Sequence, residues 1–435
     1  MAFQQGLSGL NTASKAIDVT SNNIANASTV GYKGAVSHFS DVYANSLAGS
    51  GSSQVGIGVS LSAVQQQFTQ GNITTTNNPL DISINGAGFF RMDNNGAVTY
   101  TRNGQFHLDK NGYVINDQGM RLTGYPAQSG IITASTPVAL QISASDLAPV
   151  ATGSNTSSTF NGVKANINLD SRETVPTSAW ADGPGAGTVA GWTPDPLTYN
   201  FSTALSVYDT LGNAHTLTMY FRKAATAGDW EVYGNVDGTT NQNSGSTGPL
   251  GTLNFNTSGQ LNSGNPVAIS IDLNNVGTSL GNTNGAATPL AFNIDFTGST
   301  QFGSPFGTNR IEQDGYTAGH LVGLSVGNDG VIQGRYSNGQ TFNQGQVVLA
   351  NFTNPNGLQS LGNNQWTETS DSGPALVGAP NTSSLGVLSS ATVEESNVDL
   401  TAELVNLITQ QRNYQANAQS IKTQDQILQT LVNLR

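Results

Sequence analysis

Residues that could support catalysis or bind a metal are few and widely spaced in this chain of 435 residues. The sequence contains four histidines, which are His38, His107, His215 and His320. His107 and Asp109 alternate along a predicted strand, so their side chains share one face. A metal site requires further ligands at such a place, and the neighbouring sequence offers none in a ligand pattern. We therefore expect a solvated strand face at His107, and a protein without a bound metal or cofactor.

Motifs for nucleophilic and phosphate chemistry are also missing. The sequence has no cysteine, which excludes a thiolate nucleophile, a disulfide and a Cys-ligated metal. It contains neither an H-E-x-x-H pattern nor a phosphate-binding P-loop. Three carboxylates, Asp81, Asp295 and Asp314, could meet as an acid–base pair in the fold, and the sequence alone does not exclude this. The pattern as a whole favours a protein that is not an enzyme.

Tryptophans in the middle of the chain allow a different kind of site. Trp180, Trp192 and Trp230 could form a sugar-binding platform, or they could pack against a β core. The first arrangement corresponds to a secreted β-rich adhesin or carbohydrate-binding protein, whose activity would not need the two ends of the chain. A cell-wall hydrolase carried on a structural scaffold stays open as well, and it would need a cluster of carboxylates or histidines near these tryptophans.

Composition narrows the classes of partner. Fifteen basic residues against 27 acidic ones give a net charge of −12, which argues against binding to nucleic acid or to an anionic membrane surface. Charged residues make up 10% of the chain, against about 25% in ordinary soluble domains. No apolar run approaches the ~18 residues of a membrane-spanning helix, and residues 1–14 lack the pattern of a cleaved signal peptide. We expect no membrane insertion, and a chain that is either cytosolic or exported with its start intact.

The N-terminal segment, residues 1–31, is predicted to form an amphipathic helix. Apolar side chains recur at heptad spacing along one narrow stripe, at Phe3, Leu7, Leu10, Ile17 and Ile24. Its intrinsic helix propensity is low, since Gly6 and Gly9 each cost about 1 kcal/mol relative to alanine. Gly31 is the predicted stop.

The C-terminal segment, residues 392–435, repeats this pattern more regularly. Its heptad positions are occupied by Leu400, Leu404, Leu407, Tyr414, Ala418, Ile421 and Leu428. The strict seven-residue period predicts a helix of about ten turns with a coiled-coil tendency. A helix with such a narrow apolar stripe is marginal in water by itself. The two helices either pack as a hairpin within one chain or stay loose in the monomer and order in an assembly. We expect the second arrangement, with these apolar residues as the polymerisation seams.

The middle of the chain alternates apolar and polar residues between Asn-Gly and Asp-Gly turns, a pattern typical of β-hairpins. We assign residues 79–145 and 313–391 to one discontinuous β domain, and residues 146–312 to a β domain inserted into it. Residues 32–78 carry few strand signals and are assigned to a connector. The predicted fold is mainly β with terminal α-helices that form a coiled coil, in a nested, elongated, multidomain subunit.

Both ends of the chain carry a signature that resembles the bacterial flagellar axial proteins, the family of rod and hook subunits. The signature comprises Asn22, Asn23, Asn26, Gly31, Tyr32 and Lys33 near the N-terminus, and Asn397, Asp399, Gln411, Arg412, Gln415 and Asn417 near the C-terminus. Residues 79–90 are similar to both branches, whereas residues 100–127, 314–316 and 334–339 look most like the hook branch. The long insertion at 146–312 also favours the hook over the rod branch, of which the distal rod protein is the runner-up.

The resemblance implies a structural role. Hook subunits are exported unfolded through the flagellar type III apparatus without a cleaved signal, and they polymerise beneath a cap into a curved hollow tube. This tube acts as a universal joint that transmits torque from rod to filament, with terminal helices lining the channel and β domains outside. The expected partners are copies of the chain itself, the distal rod, hook cap and hook–filament junction proteins, and the export apparatus. The expected location is the extracellular flagellar hook. Some relatives cross-link their subunits through a cysteine, which this chain lacks.

Overall fold

The prediction of a mainly β chain with a helix at each end is confirmed. The structure is a computed structural model that describes residues 2–42, 56–128, 130–143, 145–155, 158–181, 193–238, 248–274 and 284–433. The helices are α1 (Ala2–Ala25) and α2 (Leu400–Asn433). The chain divides into two compact units. The terminal unit comprises residues 1–144, 322–335 and 341–435, and the inserted unit comprises residues 145–321 and 336–340.

The terminal unit holds both helices and an extended β framework. Its strands are β1 (Ala35–Val42), β2 (Gly58–Gln66), β3 (Ile73–Thr75), β4 (Ile82–Asn85), β5 (Phe89–Asn94), β6 (Ala97–Thr101), β7 (His107–Leu108), β8 (Val114–Ile115), β9 (Arg121–Gln128), β10 (Ile131–Ile132), β11 (Val138–Ala139), β21 (Leu321–Val326), β22 (Val331–Tyr336), β23 (Thr341–Val347), β24 (Leu349–Asn351), β25 (Gln359–Gly362), β26 (Gln365–Thr367), β27 (Leu376–Gly378), β28 (Val387–Ser390) and β29 (Thr392–Glu394). Strands β21 and β22 each share one end residue with the inserted unit. The main sheet has the order β21-β22-β23-β9-β5-β6-β26-β25. Separate antiparallel pairs are formed by β1 with β2, β28 with β4 and β29 with β3.

An aromatic cluster forms part of the core of the terminal unit. Its members are Phe68, Phe89, Tyr100, Phe352 and Trp366, whose rings meet edge to face. Trp366 is fully buried, and its indole N–H donates to Gln66 Oε1 at 2.6 Å. The polar atom of the buried indole is thereby satisfied. Because Gln66 ends β2, this bond also holds the β1–β2 hairpin against the main sheet.

The inserted unit has its own hydrophobic core. Its strands are β12 (Val163–Asn168), β13 (Phe201–Tyr208), β14 (Ala214–Lys223), β15 (Asp229–Val236), β16 (Gly251–Phe255), β17 (Leu261–Ser263), β18 (Val267–Ile271), β19 (Leu290–Asp295) and β20 (Gly307–Gln313). They form a five-stranded sheet β13-β14-β15-β16-β17 and a four-stranded sheet β18-β19-β12-β20. Both sheets contribute to one apolar cluster, which includes Phe221, Trp230 and Phe296.

Three features of the terminal unit correct the predicted boundaries. Helix α1 ends at Ala25 rather than at the predicted stop Gly31, because residues 26–31 form turns. Residues 32–78, expected to be a connector, contain strands β1, β2 and β3. In β1 the apolar residues Val36, Phe39 and Val42 are three residues apart and give no strand alternation. In β2 the residues Val59, Leu61 and Ala63 do alternate with serine, a strand signal that was missed. Helix α2 begins at Leu400 rather than at residue 392, since Thr392–Glu394 pairs with β3 as a strand.

Candidate assembly site: the terminal helices and their junction

Helices α1 and α2 are formed and lie against each other within the single chain, contrary to the expectation that they stay loose in the monomer. The covered side of α1 carries small or polar residues at heptad spacing: Gly6, Gly9, Ala13, Ala16, Thr20 and Asn23. At Gly6, an added Cβ would lie 3.0 Å from Cγ1 of Ile421 in α2. At Gly9, it would lie 2.8 Å from Oδ1 of Asn417. The two glycines therefore allow the helix axes to approach closely.

The predicted seam residues are distributed differently from this contact. Ile421 packs on Gly6, and partial burial is found at Leu10, Ile17, Ile24, Leu407, Ala418 and Ile421. The remaining seam residues are exposed, namely Phe3, Leu7, Leu400, Leu404, Tyr414 and Leu428. Exposed apolar residues outside the predicted seams occur on α2 as well, at Val405, Ile408 and Ile427. The paired helices thus keep a large apolar surface facing solvent, as an unfilled protein interface does.

The N-terminal signature residues form hydrogen bonds within the segment that follows α1. Asn23 is buried, its Nδ2 donates to the carbonyl of Ala35 at 2.8 Å, and its Oδ1 accepts the Ala35 N–H at 2.9 Å. Tyr32 donates its hydroxyl to the same Oδ1 at 3.2 Å and accepts a bond from Asn22 at 3.3 Å. Burial raises the pKa of Tyr32, so the phenol stays a donor in this network. Gly31 has a φ of +70°, which a glycine adopts without strain.

Three charged side chains meet beneath this segment. The carboxylate of Glu394 accepts a bond from Lys33 Nζ at 2.6 Å and one from Arg102 at 3.2 Å. All three side chains are almost completely buried. Burial lowers the pKa of both Lys33 and Arg102, and the attraction of Glu394 opposes this effect. Lys33 belongs to the N-terminal signature, whereas its two partners carry no local sequence signal of this contact, because they lie far from it in the chain.

The C-terminal signature contributes to the same place. Asn397 accepts the Gly34 N–H at 2.8 Å and donates to the Gln67 carbonyl at 2.7 Å. Two residues later, Asp399 caps α2, because its Oδ1 accepts the N–H groups of Thr401 and Ala402 at 2.8 and 3.1 Å. We use the term junction for this set of side chains: Asn23, Tyr32, Lys33, Arg102, Glu394 and Asn397.

The other signature residues lie outside the junction. Asn26, directly after α1, donates to the carbonyl and to the side chain of Asn22 in the last turn of that helix. Asn417 covers Gly9, as described above. Gln411, Arg412 and Gln415 are exposed on α2.

The residues considered for catalysis are engaged in local structure. His107 is exposed and Asp109 is partly buried, and the carboxylate beside His107 is that of Asp117, at 3.7 Å. Asp81 bonds Asn78, Asp295 bonds Asn265, and Asp314 accepts two backbone N–H groups. Within the described part of the chain, no group of three or more His, Asp or Glu side chains is placed to hold a metal ion.

The tryptophans do not form the shared platform considered above. Trp230 is fully buried in the core of the inserted unit. Trp180 stacks on Tyr233 with ring centroids 4.2 Å apart. Trp192 lies outside the described residues. The observed packing of Trp230 removes the main argument for a sugar-binding surface built from these side chains.

The inserted unit carries a charged cluster whose members are too far apart in the sequence to form a recognisable motif. His215 Nδ1 lies 2.6 Å from a carboxylate oxygen of Asp237, and its Nε2 lies 3.4 Å from one of Asp209. The hydrogen bond to Asp237 and the charges of both carboxylates raise the pKa of His215, although burial opposes this. Because the carboxylates lie at opposite ring nitrogens, the arrangement stabilises an imidazolium ion.

A cavity of about 1070 Å³ opens beside the junction. Its walls include Asn22, Asn26, Gln118, Asn364 and Trp366. The walls also carry the hydroxyl groups of Thr29 and Ser360, and the indole N–H of Trp366 is already donated to Gln66. Among the helices of the described residues, none combines the length and the apolarity needed to cross a membrane.

Comparison with known protein families accounts for most of the chain in four segments. Residues 3–33 match the model described as flagella basal body rod protein, residues 83–157 the flagellar hook protein FlgE/F/G D1 domain, residues 168–316 the flagellar basal body protein FlaE D2 domain, and residues 389–434 the flagellar basal body rod FlgEFG protein C-terminal model.

Full-length relatives are similar over the entire sequence. The chain is 42% identical to the flagellar hook protein FlgE of Salmonella typhimurium over 445 residues, covering 100% of both. It is 41% identical to the flagellar hook protein FlgE of Escherichia coli over 440 residues, again covering 100% of both. Among solved structures, flagellar hook protein FlgE2 of Helicobacter pylori matches with a TM-score of 0.49 at 14% identity, covering 74% of this chain and 99% of that one.

Proposed function

Because this chain belongs to the flagellar hook protein family and is a structural subunit of the hook, we propose that the apolar side chains exposed on α1 and α2 are the seams of its polymer. The observation that carries the proposal is the exposure of Phe3, Leu7, Leu400 and Leu404 on helices that already pair within the chain. Burial of such a side chain contributes roughly 1.5–3 kcal/mol. Several seam residues per subunit therefore suffice to drive association between copies.

Neither the distal rod protein nor an adhesin is favoured as an alternative. Relatives that match the whole chain at 42 and 41% identity are hook proteins. The adhesin required exposed tryptophans, whereas Trp230 is buried. The role of the family is structural, and the chain associates with copies of itself in the hook and with basal body components.

The specific partners, the export route and the place of each domain in the tube are further parts of the proposal. We propose that the distal rod, hook cap and hook–filament junction proteins are the specific partners at the two ends of the polymer. We also propose that the chain passes through the type III export apparatus with its N-terminus intact and resides outside the cell. In this proposal the helices α1 and α2 line the channel. The domain at 79–145 and 313–391 surrounds them, and the insertion at 146–312 lies outermost.

Flexibility of the tube is assigned to the outer domain. Charged residues are scarce in the chain, so contacts between neighbouring outer domains would contain few fixed ion pairs. Neutral polar contacts of small side chains can exchange partners at similar energy, which allows neighbouring subunits to slide as the tube bends. The helix seams supply the stiff contacts.

Substitution of Leu404 by aspartate tests the seams. A carboxylate buried in an apolar seam costs several kcal/mol per subunit unless it is paired. We expect Leu404→Asp to give a soluble chain with normal β structure by circular dichroism, and cells that carry it to lack hooks in electron micrographs. Asn406→Asp is the matched control, since it places the same charge on an exposed polar position of the same helix. Normal hooks from Leu404→Asp would overturn the assignment of this seam.

A further inference from the structure

We infer that Glu394 is a positioning residue. Its buried carboxylate holds both terminal helices on the β framework of the terminal unit, so that their exposed apolar side chains are presented together. The inference rests on the proposed function for the use of those side chains in polymerisation. Its structural part, the fixing of the helices, stands on the junction alone.

The carboxylate of Glu394 collects bonds from three separate parts of the chain. Oε1 accepts Lys33 Nζ at 2.6 Å and the Gly71 N–H at 2.9 Å, and Oε2 accepts Arg102 at 3.2 Å. The backbone carbonyl of the same residue accepts the Gly31 N–H at 2.8 Å. One residue thus binds the segment after α1, the segment before β3 and the end of β6.

These contacts connect the two ends of the chain. Lys33 lies between α1 and β1, whereas Glu394 is the last residue of β29, shortly before α2. The Lys33–Glu394 bond joins residues that are 361 positions apart. The two points where the helices leave the β framework are therefore fastened to each other and to the main sheet at a single carboxylate.

The charge balance makes this carboxylate hard to replace. Two buried cations face one buried anion, and they are supplemented by the carbonyls of Thr69 and Gly86, at 2.7 and 2.9 Å, and by the Phe89 ring at 5.4 Å. Arg102 Nε is buried without a hydrogen-bond partner in the described structure. Removing one member of a buried ionic group leaves the others uncompensated, which is more damaging than removing the whole group. Glu394→Gln leaves two cations without their counterion.

Hydrogen exchange on the full-length soluble chain tests the positioning role. We expect Glu394→Gln to speed amide exchange at least tenfold in residues 23–35 and 395–405, with strands β14 and β15 of the inserted unit unchanged. Glu395→Gln is the matched control, because this neighbouring carboxylate is exposed and lies outside the ionic group. Exchange in Glu394→Gln equal to that of the parent chain would overturn the inference.

A second variant separates coupling from general damage. If the cost arises from uncompensated cations, then adding Arg102→Met to Glu394→Gln removes one of them and slows exchange again in the same segments. If the double variant exchanges as fast as Glu394→Gln or faster, the ionic coupling is refuted.

Assembly of the same variants distinguishes this inference from the proposed function. Glu394→Gln is expected to abolish hooks or reduce them strongly, with partial recovery in the double variant. If Leu404→Asp polymerises normally while the exchange results hold, the seams are wrong and the positioning role stands. If exchange increases in Glu394→Gln but its hooks are normal in number and shape, the link between helix positioning and polymerisation is overturned.

Discussion

Helix α1 packs closely on α2 at Gly9. The effect of a substitution at Gly9 on helix stability is therefore expected to depend on the size of the added side chain. A methyl group on Gly9 would lie 2.8 to 2.9 Å from Oδ1, Cγ and Nδ2 of Asn417. The carboxamide is the end of a partly exposed side chain, so it can rotate away from one added carbon. It leaves little room for the three further carbons of leucine. We therefore compare Gly9→Ala with Gly9→Leu.

Two opposing effects set the magnitudes. Alanine improves helix propensity by about 1 kcal/mol relative to glycine. Displacing Asn417 from its rotamer costs about 1 kcal/mol, so Gly9→Ala is expected to be close to neutral. Leucine keeps the gain in propensity, but overpacking of an existing contact costs about 1–3 kcal/mol and can exceed it. Because α1 contains weak helix formers and is marginal by itself, separation from α2 is expected to unfold it.

The assay follows helix content in the full-length chain. We expect thermal unfolding monitored at 222 nm to lose its helical component at lower temperature in Gly9→Leu, while Gly9→Ala follows the parent chain. Asn11→Leu is the control, since it adds the same side chain at an exposed position of α1. A Gly9→Leu chain with parental helix melting and parental amide exchange in α1 would refute the argument that Gly9 sets the distance between the helices.

Two further predictions concern the cap of α2 and the inserted unit. Asp399→Ala removes the acceptor of the Thr401 and Ala402 N–H groups. We expect it to lower the stability of α2 by about 1 kcal/mol and to speed amide exchange in the first turn of this helix. Unchanged exchange at these amides would contradict the capping role. The folded-state pKa of His215 is raised, mainly by its hydrogen bond to Asp237. The protonated imidazole therefore stabilises the fold fully below the unfolded-state pKa of about 6.5, and this stabilisation is lost as the pH rises through the folded-state pKa. Urea unfolding should therefore show a stability advantage of the parent chain over His215→Gln that shrinks from pH 6 to pH 9, and an advantage that grows with pH would contradict it.

Hydropathy predicted the terminal helices because their apolar residues keep a seven-residue period. It did not predict which side of α1 is covered, since Gly6, Ala13 and Thr20 contribute almost nothing to a hydropathy pattern. The signal is periodicity of side-chain size, which the same heptad spacing preserves. Of the twelve apolar residues in the predicted seams, six stay exposed in one chain and six are partly buried. In an assembling protein, the apolar stripe and the internal contact of a helix need not coincide.

Strand and helix boundaries near the junction required knowledge of distant partners. Thr392–Glu394 continues toward a helical pattern in sequence, yet it pairs with Ile73–Thr75, more than 300 residues earlier. Local propensity is weak evidence in such a segment, because the tertiary pairing decides its state. Asp399 did have a local signal, as an aspartate directly before an apolar periodic run is a typical N-cap.

The two halves of the signature are best understood as parts of one structural site. Asn23 and Asn397 each use a short amide side chain to bond backbone groups of the segment after α1, at Ala35 and Gly34 respectively. A longer or charged side chain at either position would leave a buried N–H or carbonyl unpaired, at a cost of about 1–3 kcal/mol. Asn23 completes its bonds within the N-terminal half, whereas Lys33 needs Glu394 and Asn397 needs the Gly34 N–H. The pairing of both ends at these bonds is therefore a condition for presenting the helices. This requirement explains in physical terms why signature residues separated by most of the chain occur together.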